Sequence, residues 1–138
     1  MSKKFIVAWV LTFVAWMLGS FVVHGLLLGA DYAKLSNLYR GEADSQSYLP
    51  VMLLAHVLMA GALVRIYARG IEARPWLGQG LRFGITVAFL TVVPGYMIYY
   101  AVQPLPGSLV IKQIVFDGGL LVLLGLLVAF LHRPRSSS

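Results

Sequence analysis

The sequence has no cysteine, which excludes disulfide frameworks, thiolate metal centres and cysteine nucleophiles. Charge is scarce too. Only 12% of the 138 residues are charged, five of them acidic, against roughly a quarter in an ordinary soluble domain. Also missing are a P-loop, a G-x-S-x-G elbow, an H-E-x-x-H helix and a dinucleotide fingerprint, so none of those catalytic classes is signalled. What fills the chain instead is apolar: 59% of residues, with a mean hydropathy of +0.83. This composition points to an all-α polytopic membrane protein, a four-transmembrane-helix bundle. The 11 Lys and Arg punctuate apolar runs and form no patch, so they speak for membrane topology and against nucleic acid as a partner.

Between Lys4 and Asp31 stand 26 residues with no Asp, Glu, Lys or Arg, more than the ~20 a helix needs to cross a bilayer core. Lys3 and Lys4 before this run resemble a secretory signal, but the run is too long and lacks a small-x-small cleavage site, which reads as an uncleaved anchor. The spans are expected at about 5–30, 47–68, 82–103 and 108–131, in one domain over 1–133 with a disordered tail, 134–138. Pro50 suits the first turn of span two, where its missing N–H costs nothing. Pro94 stands mid-span in span three and predicts a kink.

Four spans put both termini on one side. Lys3, Lys4, Arg65, Arg69, Arg74, Arg82, Arg133 and Arg135 gather on that side, against Lys34, Arg40 and Lys112 on the other, and the positive-inside rule makes it cytoplasmic. In the outer loop, Tyr32, Leu35, Leu38 and Tyr39 fall at helical spacing and suggest a short piece covering the bundle mouth. The segment from Gly70 to Gly80 reads as a turn anchored by Trp76.

An ionisable residue inside a span is a functional hypothesis by default. At ~1.5 Å per residue, His24, His56 and Asp117 lie ~9, ~12 and ~14 Å from the outer ends of their spans. Span three adds Tyr96, Tyr99, Tyr100 and Gln103 at i, i+3, i+4, i+7, and Gln113 shares a face with Asp117. An isolated carboxylate in hydrocarbon favours its neutral form, from which Asp117 would donate a hydrogen bond. The plain alternative is that the cluster is interhelical glue, worth ~0.6 kcal/mol per contact. If it is a site, His24 and His56 are candidates for axial haem ligation. With Asp117 they form a nitrogen and oxygen set suited to a divalent metal. His132, beside Arg133, reads as interfacial. Gly25 with Gly29, Gly80 with Gly84, and Ala15 with Gly19 offer small faces for helix packing.

His24-Gly25, Tyr39-Arg40, Gly80-Leu81-Arg82-Phe83-Gly84 and Phe116-Asp117-Gly118 resemble stretches of the small four-helix bacterial inner-membrane proteins grouped in domain-of-unknown-function families. The resemblance covers nearly the whole chain and implies a bacterial inner-membrane location with four helices, but no functional residue. The resulting expectation is a non-catalytic accessory or assembly subunit, with the bilayer and other membrane subunits or its own copies as partners. The competing expectation is a binding or transport protein holding a haem, a metal or a small ligand in the His/Asp/Tyr cluster.

Overall fold

A computed structural model describes residues 1–134; Arg135 and the rest of the expected tail, 135–138, lie outside the described residues. Those described residues form helices and no strand, and four of the helical segments are long and apolar enough to cross a membrane.

The first segment begins as α1 (Lys3–Ser20), where Ser2 Oγ accepts the Phe5 N–H and satisfies an end group the helix leaves open. It continues as a π-helical stretch, Phe21–Leu27, beyond which the Leu28 N–H reaches back five residues to the Val23 carbonyl at 2.9 Å. The apolar helix therefore ends at Leu27, short of residue 30, and the fully buried Leu28 turns the chain into α2 (Gly29–Ala33). After α3 (Glu42–Ser47), the second crossing is α4 (Leu49–Arg69), with Pro50 in its first turn.

The third crossing starts at Trp76, six residues before the expected Arg82. Gln79 is the reason. Its side chain accepts the Glu72 N–H at 3.0 Å and donates to the Glu72 and Arg74 carbonyls at 2.8 Å each. The short loop is thus satisfied by a residue of the helix, which can begin directly after Pro75. This crossing is interrupted at Thr91, dividing it into α5 (Trp76–Leu90) and α6 (Val92–Val102). Pro94 offers no N–H to the Leu90 carbonyl, and its ring crowds that carbonyl. Thr91 adopts φ −119°, ψ −62° and sends both its N–H and its hydroxyl to the Val87 carbonyl, at 3.0 and 2.7 Å. The last crossing is α7 (Gly107–His132).

Helix α7 is central: α5 and α6 pack along it, α1 lies against it, and α4 reaches it mainly through α1. Lys4 and His132 lie at one end of the bundle, here the proximal end, where Lys4 Nζ donates to the His132 carbonyl at 3.4 Å. In lipid, helices gain nothing by hiding apolar surface from each other, so close approach decides which of them associate. A Cβ placed on Gly84 would stand 2.7 Å from Val122 Cα, and one on Gly125 would stand 2.7 Å from Gly84 N and Cα. On Gly80 it would stand 2.7 Å from the Ala129 Cβ. The α5–α7 seam therefore requires backbone against backbone. On the other side, the Trp9 indole covers Gly61 and donates to the Val57 carbonyl at 2.8 Å, joining α1 to α4.

Gly25 and Gly29 take no part in such a seam. A Cβ on Gly25 would meet only the Phe21 ring of its own segment, and one on Gly29 only the His24 carbonyl at 3.9 Å, because the π-helical stretch and the turn into α2 carry both away from neighbouring helices. Gly84→Leu should lower stability in detergent by about 1–3 kcal/mol through overpacking. Gly118→Ala, where a Cβ meets nothing within 4 Å, should be neutral or slightly stabilising. Reversible unfolding monitored by circular dichroism distinguishes the two.

Candidate functional site

The buried face of α7 reads Leu109, Gln113, Asp117, Leu121, Leu124 and Val128, at the four- and three-residue spacing of one helical stripe. Two polar residues thus interrupt an apolar row. At the distal end, opposite Lys4 and His132, Leu109 packs with Val23 and Leu28 under Tyr32, Leu35 and Tyr39. The loop therefore folds over the bundle mouth through these side chains, while Leu38 points outward. Lys112 Nζ on α7 pairs with Asp31 of α2 at 2.9 Å and fastens the same loop.

Directly beneath this cap, His24, Tyr32, Tyr96, Gln113 and Asp117 form one network. Asp117 is 9% exposed. It accepts from the Tyr96 hydroxyl, and one of its oxygens lies 3.1 Å from His24 Nε2. His24 Nδ1 lies 2.7 Å from the Tyr32 hydroxyl, and Gln113 Nε2 donates to that hydroxyl at 3.3 Å. One set of directions satisfies these contacts: Gln113 donates to Tyr32, Tyr32 to His24 Nδ1, and His24 Nε2–H to the carboxylate. In this arrangement Asp117 is an acceptor for two donors, in place of the donor role expected of it from the sequence. Burial pushes the Tyr32 phenol up to about 12, with the Gln113 hydrogen bond pulling it partly back. It therefore stays protonated at physiological pH, a hydrogen-bond donor and no nucleophile.

Four helical segments supply these groups, the π-helical stretch, α2, α6 and α7, and local features position two of them. The π-helical stretch around His24 inserts an extra residue per turn and rotates the residues beyond it by about 100° around the helix axis. It also leaves His24 only three residues before the apolar helix ends at Leu27, shallower than a span reaching residue 30 would put it. The interruption at Thr91 sets α6 on its own course along α7, with Tyr96 directed at Asp117.

His56 lies elsewhere. Its Nδ1 donates to the Met52 carbonyl at 2.8 Å, its Nε2 accepts from the Ser20 hydroxyl at 3.0 Å, and its ring meets Trp16 edge-on. It does not join His24 and Asp117, and the described residues hold no group of three or more His, Asp or Glu able to bind a metal. The expected three-ligand metal set is therefore not assembled. Haem ligation by His24 and His56 is not set up either: both nitrogens of each ring already face protein groups, so each ring would have to give up one of its contacts to iron. Tyr99 and Tyr100 are more than half exposed, and Gln103 points outward as well. Of that row only Tyr96 turns inward, at its hydrogen bond with Asp117; Tyr99, Tyr100 and Gln103, nearer the end of α6, are exposed although the spacing puts them on a similar side of the helix.

From the sequence alone Tyr32 belongs to the apolar cap; its role as the hydrogen-bond link between Gln113 and His24 is not visible there, nor is the partnership of Ser20 with His56. The eight-residue step from His24 to Tyr32 is the available signal, and the turn at Leu28 that closes it has no sequence marker.

Asp117→Ala strips an acceptor from two partly buried donors and should cost about 1–3 kcal/mol of stability. Tyr99→Phe should change it by less than about 0.5 kcal/mol. Denaturant unfolding of the reconstituted protein checks both, and equal effects would dissolve the distinction between network and lipid-facing tyrosine. Compared with family models, curated proteins and solved structures, the chain matches none, and its site is defined by its own geometry.

Proposed function

We propose that this chain is a non-catalytic accessory or assembly subunit of a larger membrane complex, resident in a bacterial inner membrane with both termini cytoplasmic. The observation that supports this most is the closure of the distal network. Both nitrogens of His24, both oxygens of Asp117 and the Tyr32 hydroxyl are engaged by groups of the same chain, leaving neither an open metal position nor an activated nucleophile. The helices themselves carry the remaining surface, since short loops join them, and that surface meets either lipid or the helices of a partner. The bacterial inner-membrane placement rests on the resemblance to small four-helix proteins. The orientation rests on charge: seven of the described basic residues, Lys3, Lys4, Arg65, Arg69, Arg74, Arg82 and Arg133, belong to the proximal end.

One observation favours a second reading, a small-ligand site in the same network. Gln113 is 3% exposed and its Oε1 has no partner, while the His24 side chain is 36% exposed, so a small donor could enter beside it.

Tagged full-length protein purified from native membranes in mild detergent should retain a defined membrane subunit in stoichiometric amount, identified by mass spectrometry. A protein that purifies alone with bound metal or a visible absorbance would overturn the subunit reading in favour of the second. The cysteine-free background also permits single-site labelling. Ala43→Cys should react with a membrane-impermeant maleimide from outside intact cells, and Lys3→Cys only after permeabilisation; the reverse pattern would invert the topology.

A further inference from the structure

The proximal end holds a second feature that the distal network leaves unexplained. A groove opens between the start of α1 and the end of α4, with Lys4, Arg65, Arg69 and His132 around it and Phe5 and Ile71 as apolar wall. Among the described residues no carboxylate lines it, and Lys4, Arg65 and Arg69 make no ion pair. The one acidic residue of this end, Glu72, is already paired with Arg74 at 3.0 Å. Exposed basic residues scattered over a membrane face need no further explanation than topology. Here, however, they converge on a concave site.

The position of the groove indicates what it would hold. Val57, Gly61, Arg65 and Arg69 stand four residues apart on α4, and Trp9 of α1 covers the first two. The arginines therefore continue the α1–α4 seam to its open end. Beneath them the seam is aromatic, with Phe5 tilted against Trp9 at 5.8 Å. A ligand that fits both parts is anionic at one end and apolar at the other. We propose that this groove binds the phosphate headgroup of an anionic phospholipid, with Arg65, Arg69 and Lys4 around the phosphate and the acyl chains against the α1–α4 seam. Guanidinium groups match phosphate oxygens in pairs, and basic pockets between membrane helices favour anionic headgroups. The proposal is independent of whether the distal network is structural or binds a ligand.

The test is native mass spectrometry of the full-length protein in detergent, titrated separately with phosphatidylglycerol, phosphatidylcholine and inorganic phosphate. Phosphatidylglycerol should bind with a stoichiometry of one and more tightly than phosphatidylcholine. The R65Q/R69Q variant should lose affinity for phosphatidylglycerol by roughly ten- to thirty-fold. The K3Q/R74Q variant, which removes equal charge from the same end but outside the groove, should keep its affinity. An equal loss in both variants would reduce the effect to diffuse surface charge and overturn the site. Equal binding of the two lipids by the unmodified protein, a result independent of any variant's folding, would overturn it as well. Displacement of phosphatidylglycerol by millimolar inorganic phosphate would assign the groove to a free phosphate in place of a lipid.

Discussion

A carboxylate on the buried face of a membrane helix must find its hydrogen-bond donors within the protein, because hydrocarbon supplies none. Asp117 meets this requirement through Tyr96 of α6 and His24 of the first crossing, so its position on α7 fixes two other helices. The loop is fixed in turn, because His24 brings Tyr32 with it and Tyr32 brings the apolar cap of Leu28, Leu35 and Tyr39. Two irregularities serve the same requirement. The π-helical stretch presents His24, and the interruption at Thr91 presents Tyr96.

The proximal half is organised on a different principle. Its core of Leu63, Val64, Leu121, Leu124 and Val128 is apolar, and in a bilayer apolar contact between helices competes with equally apolar lipid. Close backbone approach at Gly80, Gly84 and Gly125 supplies the specificity that burial alone cannot. The bundle thus uses hydrogen bonds at one end and steric fit at the other.

Four crossings are legible in the sequence because long uncharged runs are the strongest signal a membrane chain carries, and Pro50 and Pro94 mark backbone consequences that come from chemistry alone. The early start at Trp76 is hidden, since it depends on Gln79 folding back onto a loop that exists only once the helix has formed. His24, Asp117, Tyr96 and Gln113 are visible as polar exceptions in apolar runs, and the structure brings these four together. His56 is visible by the same signal, yet it turns to Ser20 and its own helix. Depth along a span can be counted from sequence, but the direction a side chain faces depends on helix rotation, and the π-helical stretch alters that rotation without a residue that announces it.

The packing divides the chain into two pairs: α1 with α4 through Trp9 and Gly61, and α5 with α7 through the glycine seam. Each pair is complete in sequence order, with the first ending at Arg69 and the second beginning at Trp76. During synthesis the earlier pair is available to associate before the later one has left the ribosome. His24 belongs to the first pair, whereas Asp117 and Tyr96 belong to the second. The network is therefore a polar contact between the two pairs, and neither pair alone can satisfy its hydrogen bonds.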